Sequence, residues 1–450
     1  MFPSSLVRAG ALATMVATAG CAKCSSPAGE TDAAVAKSDS GSAVAAPVVV
    51  RDSGADSAAA AFAGPWNVLV LSIDSLRADM PWAGYSRPIA PRLTALHERS
   101  IAYTHAYSTS SFTSKSMAGL LTGKVPSELA RTGSFFTKYL TPSDFVCTAL
   151  DAQDIPCVGG HAHAYFGKGQ SGFEYGFRKW QLVPDIKFDY QTDPFVTSQK
   201  LTPLAIEMLS AVTADGGTAR PFLAWFHYMD PHDEYKTHEE SPHFGKRPRD
   251  LYDEEVFYTD LWIGKLLDFV AAQPWAARTV IVVTADHGEA FGEHGITRHA
   301  HEVWEELVRV PLFFYVPGAK PRTIETPRGH ADLMPTFVEL LGAKGIPLPG
   351  QSLVPELRGG EAQARDVIVD LPEDEYNERR RALVHENLKI IAFGNDARFA
   401  VFDLAADPKE AEDLYRKRPE LAEDMRRRYK DASARIKEMP PRGGIPKHDK

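Results

Sequence analysis

The sequence lacks the features that mark several whole classes of protein. Its 450 residues include only four cysteines, and their spacing is not typical of a metal site. Lysine and arginine together number 50 against 59 acidic residues, so the net charge of −9 gives no basic surface for nucleic acid. No apolar run reaches the roughly 20 residues that a membrane-spanning helix needs. These absences exclude a polytopic membrane protein, and we expect no nucleic-acid partner.

The N-terminus predicts export. Arg8 precedes a short apolar run at residues 9–20, and small residues follow, as in a secretory signal peptide. The sequence Thr-Ala-Gly-Cys that ends at Cys21 resembles the bacterial lipobox, although Thr18 replaces the usual leucine. We therefore expect a lipoprotein signal peptide at residues 1–21. The protein would be a lipoprotein of the bacterial cell envelope, in the periplasm or on the outer membrane, with the lipid anchor as its contact with the membrane. Plain secretion with an incidental cysteine is the alternative.

Residues 22–63 have the composition of a flexible tether. Alanine, serine, glycine, aspartate and valine dominate, and no aromatic residue occurs between residue 22 and Phe62. Such a segment buries too little apolar surface to offset the entropy lost on ordering.

Two further cysteines, Cys147 and Cys157, lie in the folded part, where either a disulfide or two packed thiols is possible.

Apolar runs alternate with helical patterns from Trp66 onward. Asn67–Ile73 is nearly all apolar, which is typical of a strand buried on both faces. Strands that alternate with helices predict an α/β fold with a mostly parallel sheet sandwiched by helices. Further strands are predicted at 222–226, 279–284 and 312–316, and helices at 91–99 and 254–272.

The last part of the chain has a different pattern. Short strand-like pieces at 381–403 precede a charged helical stretch at about 419–437. We therefore divide the folded chain into a catalytic domain at 64–380 and a subdomain at 381–440, with a small antiparallel sheet plus a helix. Residues 441–450, rich in Pro, Gly and Lys, are predicted to be a flexible tail.

Acidic residues follow two of the predicted strands. Asp74 comes directly after Asn67–Ile73, and Asp286 with His287 comes after the strand at 279–284. In such sheets, ligands bind outside the carboxyl ends of the strands. A lone aspartate at a strand end is usually a turn or cap residue, but the repetition with an adjacent imidazole predicts an oxygen-rich metal site.

A run of hydroxyl residues forms the third element. Residues 110–123 begin with serines and Thr113 and continue as an apolar stretch that ends at Gly123. A helix N-terminus attracts anions, and a metal can activate a hydroxyl there as a nucleophile. Alone, such a run is usually only a helix cap.

Together these segments resemble the sulfatase family of the alkaline phosphatase superfamily, and the resemblance spans residues 66–435. It implies an alkaline-phosphatase-like fold, with Thr113 at the nucleophile position and Asp74, Thr113, Asp286 and His287 around one divalent ion, which could be Mn²⁺, Mg²⁺, Ca²⁺ or Zn²⁺. The matching motifs are SIDSLRAD at 72–79, LLTG at 120–123, FHYMDPH at 226–232, DHGE at 286–289, GEHG at 292–295, EELVRVPL at 305–312, DLMPT at 332–336 and FDLAADP at 402–408.

The sequence departs from the family pattern at the nucleophile. Sulfatases that mature cysteine or serine to formylglycine carry proline two places on and arginine four places on, where this chain has Lys115 and Met117. Threonine cannot give formylglycine, but it is the unmodified nucleophile of related phosphodiesterases and of phosphoglycerol or phosphoethanolamine transferases. Ser75 also replaces a second metal-binding aspartate.

The resemblance also implies further site residues. His232 is the first candidate for the general acid and His227 the second, because imidazole transfers protons near neutral pH. Lys115 could replace the charge of the missing arginine. His299 and His301 both lie near the position of a substrate-binding lysine in sulfatases, and the alignment does not choose between them.

We therefore expect a metal-dependent hydrolase of phosphate or sulfate esters, whose substrate could belong to an envelope glycan or lipid. A transferase of the phosphoglycerol or phosphoethanolamine type, acting on envelope glycans, is the first alternative. A sulfatase-like binding protein without activity is the second.

Overall fold

The structure is a computed structural model, and it describes residues 64–186, 195–216 and 220–446. The predicted signal peptide and tether, with residue 447 onward of the predicted tail, lie outside the described residues.

The strands in the described part are β1 (Asn67–Ile73), β2 (Ile101–Tyr107), β3 (Cys157–His161), β4 (Lys179–Leu182), β5 (Leu223–Tyr228), β6 (Thr279–Ala285), β7 (Ala290–Phe291), β8 (Thr297–Arg298), β9 (Arg309–Tyr315), β10 (Arg322–Ile324), β11 (Arg328–Gly329), β12 (Val367–Leu371), β13 (Arg380–His385), β14 (Leu388–Phe393) and β15 (Arg398–Asp403).

The α-helices follow the same chain order. In the described residues they are α1 (Pro91–His97), α2 (Thr113–Thr122), α3 (Val146–Asp151), α4 (Ser198–Val212), α5 (Pro248–Ala271), α6 (Glu305–Val308), α7 (Leu333–Leu340), α8 (Val354–Leu357) and α9 (Pro419–Ser433). Helix α5 begins six residues before the predicted start, at Pro248, because proline suits the first helical turn. None of these helices is both long and apolar enough to cross a membrane.

A nine-stranded sheet organises the main body. Its order is β10-β2-β9-β6-β1-β5-β3-β4, and β11 also pairs with β2. All neighbours are parallel except β9, which runs antiparallel to β2 and β6. Every residue of the central strand β1 is buried, as the apolar run predicted, because helices cover the sheet. The predicted α/β fold is confirmed.

A four-stranded antiparallel sheet, in the order β12-β13-β14-β15, follows near the C-terminus. One face of this sheet packs on Tyr107 and Leu307 of the main body, and the other packs on Met425 and Tyr429 of α9. This agrees with the predicted antiparallel sheet plus helix. Strand β12, however, was not predicted, and it lies in the range that the sequence analysis gave to the catalytic domain.

Two details concern the disulfide alternative and the tail. Cys147 in α3 and Cys157 in β3 form a disulfide, which decides between the two alternatives that the sequence left open. The tail was expected to be flexible from residue 441, whereas Arg442 forms a bridge with Thr132 and donates its backbone N–H to Arg131. The first residues of the tail are therefore held against the main body.

Candidate active site

The carboxyl ends of three adjacent strands bring the predicted residues together. Strand β1 lies between β5 and β6 in parallel register, so residues that follow these strands meet at one edge of the sheet. Asp74 follows β1, Asp286 and His287 follow β6, and His227 is the penultimate residue of β5. All four side chains are fully buried. The sequence prediction of a shared site for Asp74, Asp286 and His287 is consistent with this placement.

Thr113 is the first residue of α2, and it points into this cluster. Its Oγ1 lies 2.8 Å from Nε2 of His287 and 3.3 Å from Oδ2 of Asp74. The first-turn N–H groups of a helix have no intrahelical acceptor and carry partial positive charge. An anionic ester group can therefore approach the Thr113 hydroxyl at a favourable helix end.

The tautomer of His287 follows from its hydrogen bonds. Nδ1 lies 2.9 Å from the carbonyl oxygen of Gly288, which can only accept, so Nδ1 carries the proton. The lone pair of Nε2 is therefore directed at Thr113 and the two carboxylates. Burial, together with the neighbouring His299, lowers the pKa of His287 to about 3. His287 is thus a neutral imidazole that can accept a proton or ligate a metal.

Asp74 and Asp286 form a pair of buried carboxylates with an excess of negative charge. Burial and the nearby Asp74 raise the pKa of Asp286 well above its ordinary value. Ser75 orients the pair, since its hydroxyl donates to Asp74 Oδ1 at 2.8 Å and its N–H to Asp286 Oδ1 at 3.3 Å. Ser75 thus binds both carboxylates, at the position where the sequence comparison found a metal-ligand carboxylate missing.

These residues fit a divalent cation. One ligand atom from each of Asp74, Asp286 and His287 lies within 4.8 Å of the others. Oδ2 of Asp286 is buried and has no hydrogen-bond partner, which is costly unless a cation binds it. Two carboxylates and one imidazole suit several dications, so the donor set does not select among Mn²⁺, Mg²⁺, Ca²⁺ and Zn²⁺.

His227 has a different role from the predicted one. Its Nε2 lies 3.1 Å from Oδ2 of Asp74, and its Nδ1 lies 2.8 Å from Oγ of Ser72, which in turn accepts from the Trp225 indole. Both ring nitrogens are therefore engaged inside the protein. In this structure the imidazole positions Asp74 and uses both nitrogens, which does not favour the predicted use of His227 as a general acid.

Lys115 also departs from its predicted role. Its side chain is 1% exposed, and its Nζ lies 2.6 Å from Oδ2 of Asp374, in the loop after β12. The ammonium also lies over the rings of Phe112 and Phe135, at 4.8 and 5.5 Å. The charge of Lys115 is thus paired with Asp374, which does not favour the predicted replacement of an arginine charge.

Three further histidines were predicted to belong to the site, and their surroundings differ. The ring of His299 lies 4.3 Å from that of His287, and its Nδ1 lies 3.2 Å from Glu289. His232 packs edge-on against His299 at 5.1 Å, and its Nδ1 donates to the Asp233 carbonyl. His301 instead binds Oδ1 of Asn377 through Nδ1 at 2.6 Å. The structure therefore places His299 against His287, with His232 packed on His299, and His301 against Asn377.

The loop that follows β12 was not predicted from the sequence. Asp374 accepts from Lys115 and from the backbone N–H groups of Tyr376 and Asn377, and Asn377 contacts His301. This loop thus connects helix α2 to the segment that contains His301. Its residues, LPEDEYN at 371–377, match no motif, so the only available signal was a group of acids after an apolar run.

Comparison with known proteins agrees with this geometry. Residues 66–343, which are 278 of the 450, match the family described as Sulfatase. An ulvan-active sulfatase of Formosa agariphila is 28% identical over 329 residues, which are 63% of this chain and 62% of that protein. The chain thus spans about three fifths of that relative, and less than half of two further curated sulfatases.

Solved structures share the fold. The structure of Ps i-CgsB in complex with k-i-k-neocarrahexaose has a TM-score of 0.67 at 19% identity, and covers 82% of this chain and 93% of that one. The phosphonate monoester hydrolase of Agrobacterium radiobacter has a TM-score of 0.64 at 18% identity, and covers 82% and 95%. At these identities the likeness concerns the fold alone, and the membership rests on the family match. By that match, the chain belongs to the sulfatase family of hydrolases.

Proposed function

We propose that this protein is a metal-dependent hydrolase of sulfate or phosphate esters that uses Thr113 as its nucleophile. The observation that carries the proposal is the position of Thr113 Oγ1, 2.8 Å from His287 Nε2 and 3.3 Å from Asp74 Oδ2 at the start of α2. In the described part of the chain, Thr113 is the residue whose hydroxyl contacts both a carboxylate and the His287 imidazole of this cluster.

The cluster can prepare the hydroxyl for attack. A divalent ion held by Asp74, Asp286 and His287 would lower the pKa of the hydroxyl and withdraw charge from a non-bridging ester oxygen. With the Nε2 lone pair of His287 used for the ion, Asp74 Oδ2 is the acceptor within reach of the Thr113 proton. The N–H groups of Thr113 and Ser114, at the start of α2, would stabilise the negative charge on the ester group.

Bond formation and cleavage then follow in two steps. The Thr113 oxygen forms a bond to sulfur or phosphorus while the ester oxygen departs and takes a proton. His232 is the proposed donor of that proton, and because its Nδ1 is bonded to the Asp233 carbonyl, transfer would use Nε2. Water then cleaves the Thr113 ester and releases sulfate or phosphate. If another hydroxyl replaced water, the protein would act as a transferase.

The test uses the full chain beside Thr113→Ala, with Ser114→Ala as a matched control. The Ser114 hydroxyl is the next along the helix, and it donates to the Phe135 carbonyl. Both variants and the wild type would be assayed with aryl sulfate, aryl phosphate and aryl phosphodiester, and with sulfated ulvan because of the curated relative. Metal content would be measured in the same samples.

We expect hydrolysis to fall at least 10³-fold in Thr113→Ala and to persist in Ser114→Ala. Activity that survives in Thr113→Ala would refute the nucleophile. Product that appears only with an added glycan acceptor would favour the transferase. Absence of both metal and turnover in the wild type would favour the binding protein.

We also propose that the protein is exported and anchored by a lipid on Cys21. The support is the sequence pattern that ends at Cys21, together with a disulfide in the folded part, since disulfides persist outside the cytoplasm. Incorporation of labelled palmitate into the wild type and not into Cys21→Ala would support the anchor. Equal labelling of both proteins, or labelling of neither, would refute it.

A further inference from the structure

A second group of metal-binding side chains lies apart from the active-site cluster. His294 lies in the turn between β7 and β8, Glu306 in α6, and Glu410 in the segment after β15. One ligand atom from each lies within 4.8 Å of the others. The three residues come from both the main body and the C-terminal sheet region, so an ion there would connect the two.

The surroundings carry an excess of negative charge. Lys389 is fully buried, and its Nζ lies 3.0 Å from both Glu305 Oε1 and Glu410 Oε1. One ammonium thus faces three carboxylates when Glu306 is included. Glu410 and the side chain of Glu306 are both buried. Without a further cation, these carboxylates are held in an environment that disfavours their charge.

Glu306 is the side chain that points to a ligand. It is 8% exposed, and its Oε1 is buried without a hydrogen-bond partner. Among the described residues, the only basic nitrogen within 4.0 Å of that oxygen is Nε2 of His294, at 3.8 Å. That separation is too long for a hydrogen bond, and it exceeds by only about 0.4 Å the roughly 3.4 Å between an imidazole nitrogen and a carboxylate oxygen that share a tetrahedral ion.

The other two ligands are held in place. The ring of His294 stacks on Trp304 with centroids 4.0 Å apart and an angle of 7°, which fixes its orientation. Glu410 Oε2 accepts the N–H of Glu305 at 2.6 Å. Because each carboxylate oxygen has two lone pairs, Glu410 can still bind an ion while it contacts Lys389 and this N–H.

Solvent can reach the group through a cavity. This cavity has a volume of about 640 Å³. Two of its arginines are already engaged, Arg77 with Glu293 at 3.0 Å and Arg309 with the Thr104 carbonyl at 2.7 Å. Its lining includes Arg77, Glu293, His294, Glu306, Arg309 and Lys409.

We propose that His294, Glu306 and Glu410 form a second divalent-cation site that is separate from the catalytic cluster. One imidazole and two carboxylates with a face open to solvent fit Zn²⁺, with water as the fourth ligand. The ion has a structural role: it ties the segment before β9 to the segment after β15. This site does not depend on the chemistry of Thr113.

The test separates the two sites by mutation and uses Zn²⁺ alone as the probe. Isothermal titration would count the ions bound per chain in the wild type, His294→Ala, Glu306→Gln, Asp286→Asn and the double variant Glu306→Gln/Asp286→Asn. His243→Ala is the matched control, because this imidazole also lies near a glutamate but is 71% exposed. Circular dichroism and melting curves would confirm that each variant is folded.

We expect two ions in the wild type and the control, and at least a tenfold loss of affinity at one site in His294→Ala and Glu306→Gln. Asp286→Asn should retain one ion, which the double variant loses. Cobalt substituted into Asp286→Asn should give visible absorption bands that disappear in the double variant. Loss of all binding in Asp286→Asn would overturn the second site, and so would unchanged two-ion binding in Glu306→Gln. If the catalytic cluster binds no metal, the wild type should bind one ion, and His294→Ala should weaken the binding of that ion.

Discussion

The buried pair between Lys115 and Asp374 gives an asymmetric prediction. Both side chains are 1% exposed. Asp374→Asn keeps an oxygen for the backbone N–H groups of Tyr376 and Asn377. Of the contacts that the ammonium makes with described residues, it leaves the Phe135 carbonyl at 3.4 Å and two ring faces. Lys115→Met removes the cation and leaves Asp374 with three N–H donors. The asparagine variant should therefore be the less stable of the two.

The expected magnitudes follow from the cost of an unpaired buried charge. Breaking a buried pair from one side costs about 3–5 kcal/mol. The loss of folding free energy in Asp374→Asn cannot exceed about 5 kcal/mol at pH 7, because that is the cost of removing the proton from Lys115. Burial already lowers the pKa of Lys115. Lys115→Met should cost about 1–3 kcal/mol, since the carboxylate stays hydrogen-bonded.

The decisive comparison is the double variant Lys115→Met/Asp374→Asn. It contains neither charge, so its free energy of unfolding should exceed that of Asp374→Asn by about 2 kcal/mol. Urea unfolding followed by tryptophan fluorescence measures the difference, with Lys124→Met as control. The Lys124–Asp144 pair is partly exposed, at 31% and 19%, and its loss should cost less than about 1 kcal/mol. The reasoning is refuted if the double variant is no more stable than Asp374→Asn.

Three further predictions concern other parts of the chain. Ser72→Ala removes the hydroxyl that orients the imidazole of His227, which in turn contacts Asp74. The value of kcat should therefore fall about 10- to 100-fold with KM unchanged. A change in KM alone would contradict this role of Ser72. Burial raises the pKa of Glu255 from 4.5 to about 7, so the folded state binds its proton more tightly, and stability is lost as pH rises between these values. Glu255→Gln should lack this loss of stability, so its free energy of unfolding should rise relative to that of the wild type by up to about 3 kcal/mol between pH 4.5 and 8. Urea titrations at each pH measure this difference. A difference that stays constant with pH would argue against the explanation. Reduction of Cys147–Cys157, which lie ten residues apart, should cost about 3 kcal/mol in the wild type and nothing in the double alanine variant, as shown by melting with and without reductant.

Local patterns were sufficient for the sheet and for the residues at its edge. Asn67–Ile73 is apolar on both faces, so a buried strand with Asp74 at its end followed from the sequence alone. Strand β12 was missed because it is short and lies among charged and glycine residues, where periodicity gives no clear signal.

Roles that depend on distant partners could not be predicted. His227 looks like a proton donor in the sequence, and its actual contacts come from Ser72, directly opposite on the neighbouring strand and 155 residues earlier. Lys115 finds its partner 259 residues later. Motif spacing carries no information on such pairs, because they are fixed by sheet order and by the position of the C-terminal sheet.

The order of the strands in the main sheet also governs how the site can assemble during synthesis. Strand β1 is made first, yet Val68 pairs with Leu223, and Asn67 pairs with Thr279, 212 residues after it. Contacts at such separations form slowly, because long loops must close before any pairing compensates for the lost entropy. A nascent chain that has emerged only as far as α2 therefore holds Thr113 and Asp74 without a pocket around them. The catalytic cluster appears late and as a unit, after β6 has been synthesised.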